Sequence, residues 1–163
     1  MVKYLIIIFF SIFFITGCQK ELLLIEKYEP INKDIFINVV QKNINLNRAI
    51  NGPHANNFLT LLKYWINNNI KTNGFDGLLD INLISISSSE MLIENGIRIQ
   101  IDLELDFIIS KSALDSKTLI NFKGNEFGEI LGQFSINDKN IKVNNVMKKL
   151  IERLSNKLSE EVN

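Results

Sequence analysis

The most regular pattern in the chain is a long alternation of apolar and polar residues in its second half. Apolar side chains occupy every second position from Ile97 to Ile109, and Arg98, Asp102 and Glu104 stand among the residues between them. Successive side chains of a strand point to opposite faces of its sheet, so one face would be dry and the other wet. We therefore predict a long strand in a sheet that is open to solvent on one side.

Three further strands are predicted by shorter patterns rich in β-branched and aromatic residues. These strands lie within residues 35–41, 79–89 and 117–136. Asn95-Gly96 marks a turn between the second and third strands. Within the fourth region, Gly124, Gly128 and Gly132 indicate bulges or close approaches of another element.

Two segments have the spacing of amphipathic helices. Their apolar positions are Phe58, Leu61, Leu62, Trp65 and Ile66 in the first, and Val143, Met147, Leu150, Ile151, Leu154 and Leu158 in the second. Asn56 or Asn57 can cap the first helix, and Asn73-Gly74 is expected to end it in a left-handed conformation. Residues 43–57 contain Gly52-Pro53 and several Asn, which predicts a long surface loop.

The predicted order of elements is therefore β-α-β-β-β-α. It indicates an α+β two-layer sandwich, in which a mainly antiparallel four-stranded sheet carries two helices on one face. We expect a single domain over residues 35–163, because the chain shows no internal repeat and no second linker.

The N-terminus has the features of a secretory leader. Lys3 gives a basic start, and residues 4–15 form an uncharged apolar run that is too short for a bilayer span of roughly 20 residues. The run ends in Ile15-Thr16-Gly17-Cys18, which resembles the bacterial lipobox. We expect residues 1–17 to be the signal peptide, and residues 18–34 to be the lipidated N-terminus and a linker.

The lipobox resemblance implies that Ile15, Thr16 and Gly17 are read by the signal peptidase, and that Cys18 carries diacylglycerol and an N-acyl chain such as palmitate. Several acyl chains give stable membrane anchoring. Gln19 rather than Asp follows the cysteine, which by enterobacterial sorting favours the outer over the inner membrane. The expected location is the cell envelope, with the domain facing the periplasm and no cofactor besides the covalent lipid.

Composition adds constraints on size and partners. The chain has 163 residues, is 46% hydrophobic and carries a formal net charge of +0, which suits one compact domain and disfavours nucleic acid as a partner. Cys18 is the only cysteine, so the domain has no intramolecular disulfide.

Candidate catalytic chemistry is sparse. His54 is the only histidine and Cys18 is expected to carry lipid, so we expect no Cys-His pair, no Ser-His-Asp relay and no multi-histidine zinc site. His54 itself is expected to be a solvated or backbone-bonded loop residue. Asp102, Glu104 and Asp106 share one strand face and could bind a cation or act as acid and base. The simpler interpretation is a wet sheet face with Arg98 as a counter-charge. We predict no catalytic and no metal-binding residues.

A lipobox leader followed by this order of elements resembles accessory lipoproteins of envelope transport, such as the lipopolysaccharide-assembly lipoprotein and the auxiliary lipoproteins of ABC-type transporters. The resemblance implies a non-enzymatic accessory protein that binds an envelope protein partner. The alternative is a periplasmic carrier or chaperone for a lipid or other apolar ligand, which would need a cavity between helices and sheet.

Overall fold

The computed structural model describes residues 33–112 and 116–162, which form seven strands and two helices. In chain order they are β1 Ile35–Ile37, β2 Gln41–Asn45, β3 Ala49–Asn51, α1 Ala55–Asn69, β4 Ile70–Thr72, β5 Leu78–Ile93, β6 Gly96–Lys111, β7 Ser116–Leu131 and α2 Ile136–Val162. The α+β class with two helices is therefore confirmed.

The main sheet is mixed and has five strands, so the predicted four-stranded, mainly antiparallel sheet is wrong in this detail. Strands β5, β6 and β7 form an antiparallel meander, while β2 and β3 both pair parallel with β5. Strands β1 and β4 form a separate parallel pair. The predicted loop over residues 43–57 thus contains the end of β2 and all of β3.

The first predicted strand is broken in two by a tight turn. The backbone N–H of Val39 donates to the carbonyl of Ile37 at 2.8 Å, and Gly74 N–H donates to the carbonyl of Val39 at 3.0 Å. A Cβ added to Gly74 would lie 2.6 Å from the nitrogen of Val39. Because Gly74 has no side chain, its backbone can lie close to Val39, where the chain turns from β1 towards β2.

The glycines of β7 are close-approach positions rather than bulges. Strands β6 and β7 pair without a register shift, and the bulge of the sheet lies instead in β5, between Leu83 and Ser85. A Cβ on Gly124 would lie 3.2 Å from Leu150 Cδ1, and one on Gly128 would lie 2.9 Å from a methyl group of Val146. Helix α2 therefore packs directly against the backbone of β7.

One contiguous core joins both helices to the same face of the sheet. The alternate apolar residues of β5 and β6 are buried together with the apolar stripes of α1 and α2. Phe58, Trp65 and Phe107 are fully buried, and Trp65 is a core residue as its helical position indicates. The predicted placement of two helices on one face is confirmed, and β6 has one dry and one wet face.

Helix α1 begins and ends earlier than the sequence pattern indicates. His54 occupies the N-cap position and makes no side-chain capping bond, whereas Asn56 and Asn57 lie within the helix. The predicted stop at Asn73-Gly74 is wrong because the chain becomes extended at Ile70 and continues into β4. The helix carries no basic residue in its last turn.

Lys42 of β2 supplies the cation that the end of α1 lacks. Its Nζ donates to the carbonyls of Ile66 and Ile70, at 3.1 and 2.8 Å. Ile66 lies in the last turn of the helix, where its carbonyl also accepts the N–H of the C-cap residue Ile70, and Ile70 is the first residue of β4. The helix dipole favours positive charge at this end. Lys42 therefore fastens the end of α1 to the parallel edge strand β2.

Helix α2 begins at a capping box. The N–H of Ser135 donates to Asp138 Oδ2 at 2.9 Å, and the N–H of Asp138 donates to Ser135 Oγ at 3.2 Å. These bonds lower the pKa of Asp138 below its usual range. The reciprocal pair satisfies free N–H groups of the first turn. As a result, the helix starts at Ile136. Strand β7 ends at Leu131, earlier than the predicted limit at residue 136.

The two ends of the long sheet are covered unequally. The N–H of His54, just before α1, donates to Ser88 Oγ at 2.8 Å, so α1 begins level with Ser88 and leaves the tip of the β5–β6 hairpin beyond it. We call residues 91–98 and 127–141 the hairpin end. The covered end comprises strands β1 to β4, helix α1, and residues 78–88, 101–111 and 116–126 of the sheet.

Candidate interaction surface

The acidic row that the sequence singles out lies on the wet face of the sheet. Asp102, Glu104 and Asp106 are partly exposed and alternate with buried residues of β6. Each carboxylate has a side-chain partner on a neighbouring strand. The partners are Ser87 Oγ for Asp102 at 3.0 Å, Asn121 Nδ2 for Asp106 at 2.7 Å and Lys123 Nζ for Glu104 at 3.4 Å.

These contacts make the acidic row part of a network of polar pairs across the sheet. Cross-strand pairs of this kind contribute modestly to sheet stability. Within residues 33–112 and 116–162, no group of three or more His, Cys, Asp or Glu side chains is arranged to hold a metal ion. The row lies on the wet face as predicted, but Arg98 is not its counter-charge, because Arg98 is paired with Glu129 and the cation that contacts the row is Lys123.

His54 belongs to a polar cluster centred on Glu90, so its expected role as a solvated or backbone-bonded loop residue is wrong. Its Nε2 lies 2.5 Å from Glu90 Oε1, and Lys139 Nζ lies 2.7 Å from the same oxygen. Burial raises the pKa of Glu90, but the hydrogen bonds and charges of Lys139 and His54 outweigh it and hold that pKa below its usual range. The cluster joins the start of α1, strand β5 and the first turn of α2.

The hairpin end carries a group of exposed large apolar side chains. Leu92 is 90% exposed, Ile136 is 82% exposed and Leu131 is 66% exposed. Other exposed apolar residues of this end are Met91, Phe127, Phe134 and Ile141. Isolated exposed apolar residues are ordinary, but a group of them at one end of a domain is typical of an interaction site.

A cation and an aromatic ring lie within this group. The Arg98 guanidinium lies 5.0 Å from the centroid of the Phe127 ring. Its Nε and Nη2 donate to Glu129 Oε1 at 2.8 and 2.5 Å. Phe127 and Arg98 are thus held together on the wet face, with the ring of Phe127 still 53% exposed. Aromatic and arginine side chains of this kind are enriched at protein interfaces.

Strand β7 forms one border of the main sheet, and part of this border is protected by α2. Arg153 Nη1 donates to the carbonyl of Asn125 at 2.6 Å, and Lys157 Nζ donates to the carbonyl of Asn121 at 2.7 Å. Charged side chains that engage an edge strand reduce unwanted pairing with other chains. The protection covers the part of β7 in the covered end.

Beside the other part of β7 lies a shallow groove of about 340 Å³. It runs between residues 127–128 and the exposed side of α2. Its lining residues are Phe127, Gly128, Lys142, Asn145, Val146, Lys148, Lys149 and Glu152. A second groove of about 440 Å³ lies nearer the acidic row, but there Lys123 is paired with Glu104 and Arg153 with Glu126.

The predicted lipidation site lies outside the described residues. Ile15, Thr16, Gly17 and Cys18 precede residue 33, so the structure does not test the lipobox, and the same holds for the signal peptide over 1–17. Neither described helix is long and apolar enough to cross a membrane.

The hairpin end and the groove were not predicted. Alternation marks Leu92, Phe127 and Leu131 as strand residues. Leu92 lies on the helix-bearing face, so its exposure depends on where α1 begins, whereas Phe127 and Leu131 lie on the wet face. The start of α2 could have been predicted from Ser135 and Asp138, because a Ser followed three residues later by an acidic residue indicates a helix start.

Comparison with known proteins shows similarity at the level of fold only. No family model matches the chain, and no curated protein matches it. Among solved structures, the chain is similar to a minor lipoprotein from Acinetobacter baumannii, with 8% identity and a TM-score of 0.48 over 74% of this chain and 93% of that one. It is also similar to a neuraminyllactose-binding hemagglutinin homolog from Helicobacter pylori, with 10% identity and a TM-score of 0.39 over 82% of this chain and 93% of that one. These values describe a broad likeness of arrangement, and "lipoprotein" and "neuraminyllactose-binding" are said of those proteins alone.

Proposed function

We propose that the protein is a membrane-anchored lipoprotein that faces the periplasm and acts as a non-enzymatic, partner-binding component of an envelope transport or assembly system. The anchor in this proposal is lipid on Cys18, and it rests on the lipobox over residues 15–18. Gln19 favours the outer membrane as its location.

The observation that carries the partner-binding role is the hairpin end. Leu92, Leu131 and Ile136 expose most of their surface. Other exposed large apolar residues, such as Phe36, Phe75 and Leu119, lie elsewhere in the described residues. Burial of apolar surface contributes about 25 cal/mol per Å². A protein partner that covered the apolar residues of the hairpin end would gain this free energy without disturbing the core.

A carrier of apolar ligands receives less support from the packing. Such a protein needs space between its helices and its sheet. Phe58, Trp65 and Phe107, which face this space from both layers, are fully buried. The two grooves described above lie at the surface, and charged side chains line both of them.

The test is affinity capture of the natively lipidated protein from crosslinked envelopes, followed by mass spectrometry of proteins and lipids. We expect a stoichiometric transport or assembly component. A variant with Leu92→Ser and Leu131→Ser should lose this component and keep its fold, since both side chains are exposed. Recovery of lipid alone would contradict the proposal and support a carrier.

The anchor is tested separately by Cys18→Ser. This variant should lack acyl mass and should leave the membrane fraction or stay uncleaved. If the Cys18→Ser variant fractionates like the unaltered protein, and the unaltered protein carries no acyl mass, the lipobox interpretation is wrong.

A further inference from the structure

We propose that residues 127–131 of β7 bind an extended, acidic segment of a protein partner, which adds to the main sheet as a further strand. The inference rests on the proposed partner-binding function and names the chemistry of the partner. It joins three neighbouring features: a strand edge with which no other described strand pairs, an exposed aromatic ring and a groove lined by lysines.

The backbone of β7 shows which of its residues face the edge. The carbonyls of Asn121 and Asn125 accept bonds from α2 side chains, so these odd-numbered residues point away from β6. On the opposite side, the N–H of Gly132 donates to the carbonyl of Asn95 at 2.7 Å. Both backbone groups of a strand residue point the same way and alternate along the chain. Phe127, Glu129 and Leu131 therefore direct their N–H and C=O groups to the edge.

The protection of this edge stops before Phe127. Arg153 and Lys157 donate to the carbonyls of Asn125 and Asn121. At Gly128, the contacts from α2 are the aliphatic stem of Lys142 and a methyl group of Val146, which do not bond to the backbone. A strand edge that presents its backbone groups in a row is a template for an extended peptide, and side-chain pockets beside it give specificity.

The charges of the groove select the kind of segment. Lys142 and Lys149 line it together with a single acidic residue among the lining set, Glu152. A strand laid along residues 127–131 would place alternate side chains over these lysines, so acidic side chains there would be favoured. Phe127 offers an apolar contact between the charged positions.

The same charges disfavour a second copy of this chain as the occupant. Two copies that paired through residues 127–131 would bring the lysines of both α2 helices towards the same seam. Like charges placed opposite each other across a strand pair are destabilising. An acidic segment of another protein removes this repulsion and replaces it with attraction.

The experiment measures the fluorescence anisotropy of labelled peptides in the presence of the purified full-length chain that carries Cys18→Ser. One peptide alternates glutamate with threonine or valine, and its counterpart has lysine in place of glutamate. We expect saturable binding of the glutamate peptide and at least about tenfold weaker binding of the lysine peptide, since tenfold corresponds to about 1.4 kcal/mol. Equal binding of the two peptides, or binding of neither, would overturn the inference.

Two proline variants locate the binding edge. Phe127→Pro removes an edge-facing N–H without removing a bond to β6, and it should abolish peptide binding. Asn125→Pro is the matched control, because its N–H faces the same edge beside the carbonyl to which Arg153 already donates, and binding should persist. Equal loss in both variants would contradict the assignment to residues 127–131.

A charge reversal decides the question even if a proline variant fails to fold. A variant that carries both Lys142→Glu and Lys149→Glu reverses two charges on α2. It should bind the lysine peptide more tightly than the glutamate peptide. An unchanged preference would overturn the inference. Sedimentation of the unaltered protein should give a monomer; a dimer that Phe127→Pro dissociates would instead identify a second copy as the occupant.

Envelope capture separates this inference from the proposed function. If the unaltered protein captures a partner and Phe127→Pro captures it equally well, strand addition fails and the partner-binding function stands. If neither captures a protein, the proposed function itself fails.

Discussion

The covered end and the hairpin end are built from the same strands, yet they differ in what lies over them. In the covered end, α1 packs on β5 while α2 packs on β7 and β6, and residues such as Leu62 and Ile81 are fully buried. In the hairpin end, only the first turns of α2 accompany the sheet, and Leu92 is almost fully exposed. The difference teaches that alternation sets which face a residue occupies, whereas the neighbouring helices decide whether that face is dry.

The largest effect that tests this contrast is a matched pair of leucine substitutions. Leu62→Ala should lower the free energy of unfolding by about 3 kcal/mol or more, because it leaves a cavity in a filled core. Leu92→Ala should change it by less than about 0.5 kcal/mol, because the side chain is already in water.

Chemical denaturation in urea measures both leucine variants. The unaltered protein and each variant should show the same dependence on urea concentration, so that midpoints can be compared. Similar losses in the two variants would mean that the hairpin end is part of the core, and the contrast between the ends would be wrong.

The next effect concerns how the covered end is fastened. Lys42→Met removes two bonds from a cation to the carbonyls of Ile66 and Ile70. Burial, and then the charge of Lys71, lowers the pKa of Lys42, so part of this interaction is offset by desolvation. We expect a loss of about 1 to 2 kcal/mol.

The control for Lys42 is Lys63→Met on the exposed side of α1, which should change stability by less than about 0.5 kcal/mol. Hydrogen exchange gives a second measurement. Amides in the last turn of α1 should exchange faster in the Lys42 variant and unchanged in the Lys63 variant. Equal exchange in both would show that Lys42 does not hold the end of the helix.

The sequence predicts the long elements of this fold well and its short ones poorly. Strand β6 and helix α1 follow from periodicity because each has many residues with one repeated spacing. Strands β1 to β4 are only three to five residues long, and a short stretch gives too few repeats to separate a strand from a loop. Their pairing partners lie far along the chain, so local pattern does not contain them.

The candidate surface depends even more on contacts that are distant in the chain. Lys42 acts on α1 from β2, and Arg153 covers a carbonyl of β7 from α2. Neither residue belongs to a motif, so a sequence pattern cannot distinguish them from other surface cations. The predicted lipobox is the opposite case, because its four residues are contiguous and the resemblance can be recognised without a structure.

The smallest predicted effect lies where the two ends meet, at the cluster of Glu90, His54 and Lys139. The pKa of Glu90 is lower in the folded protein than its ordinary value, so its ionised form stabilises the fold. This contribution is fully present above the ordinary glutamate pKa, near 4.5, and it is lost as the pH falls through the lowered value. Because the side chain is 28% exposed, we expect it to be about 0.5 to 1 kcal/mol.

Glu90→Gln should therefore be less stable than the unaltered protein at pH 6, and the difference should shrink towards zero as the pH falls below about 4. Glu94→Gln, at the exposed turn of the β5–β6 hairpin, is the matched control and should leave the pH dependence unchanged. Added salt should reduce the effect of the Glu90 substitution, because exposed charges are screened. A difference that stayed constant from pH 6 to pH 3 would mean that Glu90 acts through packing alone, and the ionic junction between the covered end and the hairpin end would have no role in holding them together.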